Sequence, residues 1–235
     1  MQIATDLAHG LDYIHHFSGL KSNFVHNHIK SSGIVVAEKS MNAKICHFGT
    51  SELCGETVSE VPDSETFGEI SRDSSDGGSK KTLKKSKSRA LKVEGTRGYM
   101  SPEFQLTGIP TQKCDTYAFG VVILELLSGE EPLKYRLEEG TDGGYRRVSV
   151  IETARAAIEG GDLRMWIDRR LKDSYPVDAA ENMARVGLEC AEEDPNKRPD
   201  MGRVAVVVSK LYLDSKNWAE QIGVPMDISV SLAPR

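Results

Sequence analysis

The stretch DTYAFGVVILELLS, residues Asp115–Ser128, decides the fold of this 235-residue chain. Its apolar residues point in nearly every direction around a helix, which is typical of a helix buried in the centre of a domain. Gly129 follows and can end that helix in a left-handed conformation. Gly120 and Glu125 interrupt the apolar run, which is too short to span a bilayer. We therefore expect a central core helix here rather than a membrane segment.

Helical periodicity extends on both sides of this central stretch. An apolar stripe of Ile3, Leu7, Leu11 and Ile14 begins at the first residues without a visible N-cap. We therefore expect the domain to continue upstream of Met1. Toward the C-terminus the apolar pattern predicts three more helices, at residues 148–160, 179–192 and 201–213.

A small β-hairpin is the strand-forming feature that the sequence predicts. Residues 34–38 and 43–47 are short strand-like runs that flank Lys39–Asn42. Together with the helices, this hairpin predicts a mainly α fold over residues 1–213. Residues 214–235 form a C-terminal tail, of which residues 217–235 are weakly patterned, and we expect these to be frayed.

Charge and composition argue against several functional classes. The chain has 30 Lys and Arg residues against 35 Asp and Glu residues, a net charge of −5, which argues against a nucleic-acid binder that relies on basicity. The four cysteines, Cys46, Cys54, Cys114 and Cys190, form no Cys-x-x-Cys pair, which is typical of reduced thiols in the cytosol. The first residues have neither the basic start nor the apolar core of a signal peptide.

Residues 56–92 show no helical or strand periodicity. They contain eight serines and three threonines, with acidic residues in the first half and basic residues in the second. Because few large apolar groups are present to offset the entropy of ordering, we expect a disordered insertion. It is either a tolerated loop or a regulated docking segment whose basic run, 80–92, would also touch anionic lipid. Its candidate phosphorylation sites are Ser74, Ser75, Ser86 and Ser88.

Five local patterns occur in an order that resembles the C-terminal lobe of eukaryotic protein kinases. HNHIKSSGI at 26–34 resembles the family's catalytic loop, H-R-D-x-K-x-x-N-I, and HFG at 47–49 resembles D-F-G. GTRGYMSPE at 95–103 resembles the end of the activation segment. DTYAFGVV at 115–122 resembles the family's central helix, and CAEEDPNKRPDM at 190–201 resembles a pattern near the end of the domain.

This resemblance covers residues 1–213 and implies the C-terminal lobe of an α+β protein-kinase-like fold, with residues 56–92 as an insertion in the activation segment. The residues of these motifs are most similar to those of plant receptor-like serine/threonine kinases, in particular those of the LysM type. No Gly-x-Gly-x-x-Gly motif occurs in the sequence, and its one Val-Ala-x-Lys match, Val36–Lys39, follows the loop at 26–34 instead of preceding it as the family's strand lysine does. We therefore expect the N-terminal lobe to be missing from this chain, which would make it a truncated product or one completed by a partner.

The resemblance assigns three chemical positions, and the residue at each of them is changed. His28 stands where the family has its catalytic base, Gly33 where it has a metal-binding Asn, and His47 where it has a metal-binding Asp. Mg²⁺ prefers oxygen ligands, which an imidazole and a glycine do not supply. The family uses ATP and Mg²⁺, whereas for this chain we expect no cofactor and no catalysis by His28. A transition-metal site of His26, His28 and His47 is the alternative.

Other matched positions concern phosphate contact and the integrity of the fold. By resemblance, Lys30 is the lysine that contacts the transferred phosphate, and Thr96 is a further candidate phosphorylation site. Glu103 is expected to pair with Arg198, and Asp115 is expected to hydrogen-bond the backbone of the catalytic loop. Residues that maintain the fold are kept and residues that carry chemistry are lost, which is the pattern of a pseudokinase.

Three functions stay open from the sequence. The first is an inactive receptor-like kinase domain that binds another protein kinase or a receptor kinase. The second is a Ser/Thr kinase that transfers the γ-phosphate of ATP to protein once an N-terminal lobe completes it. The third is a non-functional truncated product, since a C-terminal lobe alone exposes surface that the N-terminal lobe covers. We expect a cytoplasmic location, no nucleic-acid partner, and membrane attachment only through a missing upstream segment.

Overall fold

A computed structural model describes residues 1–19, 24–48, 95–137, 144–172 and 174–222. The helices are α1 (Gln2–His16), α2 (Pro102–Thr107), α3 (Gln112–Ser128), α4 (Val150–Gly160), α5 (Leu163–Trp166), α6 (Val177–Cys190) and α7 (Met201–Ile222). The strands are β1 (Ile34–Val36), β2 (Ala43–Ile45), β3 (Leu133–Leu137) and β4 (Tyr145–Ser149). Helices dominate the described residues, which confirms the predicted fold class.

Helix α3 forms the centre of the core, as its apolar character predicts. Phe119 and Leu124 are completely buried. Gly120 allows α6 to approach α3 closely, because a Cβ at this position would lie 2.6 Å from the carbonyl oxygen of Gly187. Gly129 follows the helix with a φ of 66°, in the left-handed region that glycine adopts without strain.

Helix α1 packs its predicted apolar stripe against α7 and against the first hairpin. Leu7 and Leu11 are buried, and a Cβ on Gly10 would lie 3.4 Å from Cδ1 of Ile45 in β2. The predicted hairpin is confirmed, with β1 and β2 paired antiparallel. The backbone N–H of Ala43 donates a hydrogen bond of 2.9 Å to the Asp6 carboxylate. These contacts hold the hairpin, and so the loop that leads into β1, against the helical core.

A second antiparallel pair, β3 and β4, corrects the expectation of a single hairpin. Val148 and Ser149, which we expected to begin a helix, end β4 instead, and α4 begins at Val150. The cause is a capping box. The Glu152 N–H donates to Ser149 Oγ at 3.1 Å, and the Ser149 N–H donates to Glu152 Oε2 at 3.2 Å.

The C-terminal helices also differ from their predicted bounds. Helix α6 covers Val177–Cys190 instead of 179–192, and α7 continues past 213 to Ile222. The expectation of a frayed tail is therefore wrong for residues 217–222, whose sequence contains no glycine or proline to stop the helix. Residues 223–235 lie outside the described ranges. Among the helices of the described ranges, none has the length and apolar character that crossing a membrane requires.

Candidate functional site

Asp115, in the first turn of α3, anchors the loop that resembles a catalytic loop. Its carboxylate accepts hydrogen bonds from the backbone N–H groups of His26 at 2.8 Å and Asn27 at 2.7 Å. The ring of His15 in α1 contacts the same carboxylate, with Nε2 3.0 Å from Oδ2. Because Asp115 is buried, these charge-assisted bonds fix the loop backbone to the core helix.

His26 is held on both of its ring nitrogens. Nδ1 accepts from the N–H of His28 at 3.3 Å, so Nε2 carries the proton and donates to the Cys46 carbonyl at 3.1 Å. The ring packs edge-on against Phe48, with centroids 4.8 Å apart. Burial is the main cause that lowers the pKa of His26, although Asp115 acts in the opposite direction. His26 is thus a structural histidine of the loop.

The three changed positions lie together, as the resemblance implies. The rings of His28 and His47 have centroids 5.5 Å apart, and a Cβ on Gly33 would lie 3.5 Å from Nδ1 of His47. Burial, and then the positive charge of Lys30, lowers the pKa of His28, so that its ring is neutral at pH 7. The three positions therefore form one cluster of two imidazoles and a glycine, and none of the three supplies a carboxylate.

This cluster does not fit the Mg²⁺ that the kinase fold implies. Mg²⁺ requires hard oxygen ligands, whereas His28 and His47 present nitrogens and Gly33 presents no side chain. Throughout the described ranges, no group of three or more His, Cys, Asp or Glu residues has a geometry that could hold a metal ion. The transition-metal alternative fails for a local reason as well, because both nitrogens of His26 are already hydrogen-bonded.

Lys30 connects the catalytic-type loop to the activation segment. Its ammonium lies 3.3 Å from Nε2 of His28 and donates to Oγ1 of Thr96, also at 3.3 Å. Because an ammonium can only donate, Nε2 of His28 is the acceptor, which leaves the proton on Nδ1. The buried Nδ1 has no hydrogen-bond partner among the described residues.

Glu103 and Arg198 form a bidentate ion pair beneath the activation segment. Nη1 and Nη2 of Arg198 donate to the two carboxylate oxygens of Glu103 at 2.6 and 2.7 Å. The remaining guanidinium protons bond backbone carbonyls, including that of Glu192, and the guanidinium lies 4.9 Å from the ring centroid of Tyr117. Burial raises the pKa of Glu103, but the hydrogen bonds from Arg198 and others outweigh it and lower the net value.

Sequence reasoning missed a second polar cluster, formed by Ser31, Tyr99 and Glu125. The Tyr99 hydroxyl donates to Glu125 at 2.7 Å and lies 2.8 Å from Oγ of Ser31, which itself donates to Glu125 at 3.3 Å. Burial raises the pKa of Glu125 to about 7. The signal was present, because Glu125 is a carboxylate within an otherwise apolar helix.

Several expectations concern residues outside the described ranges. The insertion at 56–92 and the candidate phosphorylation sites Ser74, Ser75, Ser86 and Ser88 belong to this group. Of the candidate phosphorylation sites, Thr96 is described, and it lies under the Lys30 ammonium.

The chain matches the family described as protein kinase domain over residues 74–208, more than half of its length. LysM domain receptor-like kinase 3 of Arabidopsis thaliana is 33% identical over 223 residues, which cover 92% of this chain and 30% of that protein. Chitin elicitor receptor kinase 1 of the same plant is 34% identical over 219 residues, covering 93% and 30%. Probable LRR receptor-like serine/threonine-protein kinase RFK1 is 32% identical over 211 residues, covering 90% and 17%.

These relatives extend well beyond the matched region, since the chain spans less than a third of the length of each. They include both LysM and LRR receptor-like proteins, so the similarity follows the kinase region that they share. The matched residues contain the Glu103–Arg198 pair and the central helix, and the resemblance inferred from five sequence motifs is confirmed. The chain belongs to the protein kinase domain family and is related to plant receptor-like kinases.

Proposed function

We propose that this chain is a catalytically inactive kinase domain of a plant receptor-like kinase, and that it acts as a binding and regulatory module in signalling. The observation that carries the proposal is the cluster of His28, Gly33 and His47, where kinase chemistry requires oxygen ligands and a carboxylate base. A neutral His28 whose Nε2 faces Lys30 is a poor substitute for a carboxylate.

The contacts that maintain the fold support the same proposal. Asp115 holds the loop backbone, and Arg198 holds Glu103 through two parallel hydrogen bonds. A non-functional product under no requirement to fold would have no reason to keep a buried ion pair that costs about 3–5 kcal/mol when one partner is lost. A folded surface without phosphoryl-transfer chemistry is suited to binding other proteins.

The partner class that fits this role is another protein kinase or a receptor kinase, since the relatives carry those names. In a receptor of this type, we place the domain on the cytosolic side of the plasma membrane. Within the domain, Asp115 orients the loop. Lys30 joins the loop to the activation segment through Thr96, so that the loop and the segment present one surface to a partner.

The test restores the missing oxygen ligands in a product extended upstream through a complete N-terminal lobe. The variant carries His28→Asp, Gly33→Asn and His47→Asp together. A Cβ on Gly33 would meet no atom nearer than 3.5 Å, and His47 has a φ of 68°, which Asp tolerates better than most residues. We expect the unmodified product to show no thermal shift with Mg²⁺ and ATP and the triple variant to show one.

Two controls accompany this experiment. The melting temperature without nucleotide must be similar in both proteins, which shows that the substitutions leave the fold intact. The same triple change in the 235-residue chain should give no thermal shift, since that sequence has no Gly-rich phosphate loop. A Mg²⁺-dependent shift in the unmodified extended product, as large as that of the triple variant, would contradict the proposal.

A further inference from the structure

A cavity of about 280 Å³ opens between α3, α6 and the last turns of α7. Its walls include Ile123 and Leu127 of α3, Met183 of α6 and Trp218 of α7. Among the described residues that line it, none has an acidic, basic or imidazole side chain. Leu126, a further lining residue, has 43% of its surface exposed although it belongs to the central helix. The cavity is therefore suited to an uncharged, apolar occupant.

The last turns of α7 form one wall of this cavity. Ser215, Trp218 and Ala219 line it at intervals of three and one, which places them on one face of the helix. Ile222, the last residue of α7, continues this face and has 57% of its surface exposed. Gly223 follows, and a glycine directly after a helix permits the left-handed conformation in which a chain turns away from the helix axis. The chain that follows α7 therefore starts at the edge of the cavity and is free to turn toward it.

The sequence after α7 has the pattern of a segment with one apolar face. Helical periodicity is absent from it, but large apolar residues occupy every second position over nine residues: Val224, Met226, Ile228, Val230 and Leu232. The four positions between them hold one proline, one aspartate and two serines. This alternation is typical of an extended segment that buries one face and leaves the other in water. The tail therefore carries an apolar face that requires an apolar surface to cover it.

The length and the attachment of this segment fit the cavity. The helical rise places Ser215 about 10 Å along the axis of α7 from Ile222, and residues 224–232 reach about 30 Å when extended. A tail that turns back after Ile222 is thus long enough to pass the whole α7 wall. Because it is tethered beside the cavity by a linker of a few residues, its effective concentration there is on the order of millimolar. The tail of the same chain is therefore favoured over a free ligand of similar chemistry.

We propose that this cavity is the docking site of the chain's own C-terminal segment, Val224–Leu232, which turns back after α7 and lays its apolar face into the cavity. Met226 and Ile228 belong to this face and cover Trp218, whereas Ser229 and Ser231 belong to the opposite face and stay in water. The docking is independent of the proposed inactivity, because the cavity shares no residue with the cluster around His28.

The test uses the fluorescence of Trp218 in the 235-residue chain. Trp166, the other tryptophan, is replaced by Phe in every protein compared. The test variant carries Met226→Asp and Ile228→Asp, and the matched control carries Ser229→Asp and Ser231→Asp, so that both gain the same charge on opposite faces of the segment. In the test variant we expect a red shift of the emission and acrylamide quenching about twofold stronger or more, because carboxylates do not enter an apolar cavity. The control should match the parent protein.

Binding of the uncharged apolar dye Nile red separates the possible occupants. We expect the test variant to bind the dye and the parent and control proteins to exclude it, with far-UV circular dichroism showing that all three are folded. Equal quenching in the test variant and the control, or equal dye binding by the parent and the test variant, would overturn the proposal, since the cavity would then be open to outside ligands. Quenching in the parent that weakens as its concentration rises from about 1 to 100 μM would also overturn it, because the occupant would then be the tail of a second copy.

Discussion

At the scale of single residues, the side chains around the catalytic-type loop fall into two groups: those that hydrogen-bond and fix the backbone, and those that occupy the positions of the family's catalytic groups. Asp115 and Arg198 each satisfy several partners, and losing either would leave buried polar groups unpaired. His28 and His47 contact each other across the position of Gly33, where a kinase needs oxygen ligands. The proposed inactivity and the stability of the fold therefore rest on different residues and can be tested separately.

The first residue-scale prediction concerns the ion pair beneath the activation segment. Arg198→Ala leaves the Glu103 carboxylate without its guanidinium and leaves several backbone carbonyls without donors, so the free energy of unfolding should fall by about 3–5 kcal/mol. Chemical denaturation measures the change, and Lys216→Ala, at an exposed position of α7, is the control. A loss no larger than that of the control would show that the pair does not stabilise the domain.

The second residue-scale prediction concerns pH. Burial raises the pKa of Glu125 to about 7 from an ordinary value of 4.5, so the folded state favours the protonated carboxyl. Its stabilising contribution is fully present below pH 4.5 and is lost as the pH rises through 7, by on the order of 2 kcal/mol after allowance for partial exposure. Glu125→Gln should remove this dependence.

Denaturation curves between about pH 5 and pH 8.5 for the protein and the Gln variant measure the effect, and their difference isolates Glu125 from other titrating groups. We expect the variant to gain stability relative to the protein as the pH rises. A difference that stays constant over this range would mean that Glu125 is ionised throughout, with Tyr99 and Ser31 stabilising its charge.

At the scale of secondary-structure elements, the sequence predicted those elements whose apolar pattern lies within one continuous segment. The central helix and the stripe of α1 were predicted from periodicity, because each buries one continuous apolar surface. The pairing of β3 with β4 was missed. β3, LKYRL, does alternate apolar and polar residues, but it is only five residues long and largely exposed, and β4, YRRVS, does not alternate.

The missed parts of the site have a similar cause. The cluster of Ser31, Tyr99 and Glu125 comes from three separate segments, so no single stretch of sequence displays it. The start of α4 could have been predicted from the sequence, because Ser149 and Glu152 have the spacing of a capping box. The positions of His28, Gly33 and His47 were predicted from the family pattern, whereas their mutual distances required the fold.

One prediction belongs to the packing of elements. Gly120→Ala introduces a Cβ 2.6 Å from the Gly187 carbonyl oxygen, which forces α3 and α6 apart and should destabilise the domain by about 1–3 kcal/mol. Gly160→Ala is the matched control, because a Cβ there meets no atom nearer than 3.9 Å. Thermal unfolding compares the two variants. Equal melting temperatures would show that α3 and α6 do not meet at Gly120.

At the scale of the whole molecule, the chain combines an intact helical core with a catalytic-type loop that lacks carboxylates. The core packs against the loop around His28 and against the described end of the activation segment, residues 95–103. Phosphoryl transfer requires a Gly-rich loop that holds the phosphates of ATP and oxygen ligands that hold Mg²⁺. The sequence of this chain contains no such Gly-rich loop, and the side chains of the cluster of His28, Gly33 and His47 supply no oxygen ligand. A role in binding is what this combination of features supports.

Phosphate transfer itself tests the proposed inactivity most directly. The product extended upstream through an N-terminal lobe is incubated with radiolabelled ATP and Mg²⁺, and the label incorporated into itself or into a protein substrate is counted. The control is the same product with the lysine of the Val-Ala-x-Lys motif of that N-terminal lobe replaced. We predict equal, background incorporation in both, because His28, Gly33 and His47 provide neither a carboxylate base nor metal ligands. Mg²⁺-dependent incorporation that disappears in the lysine variant would contradict this and would show that the domain is an active kinase.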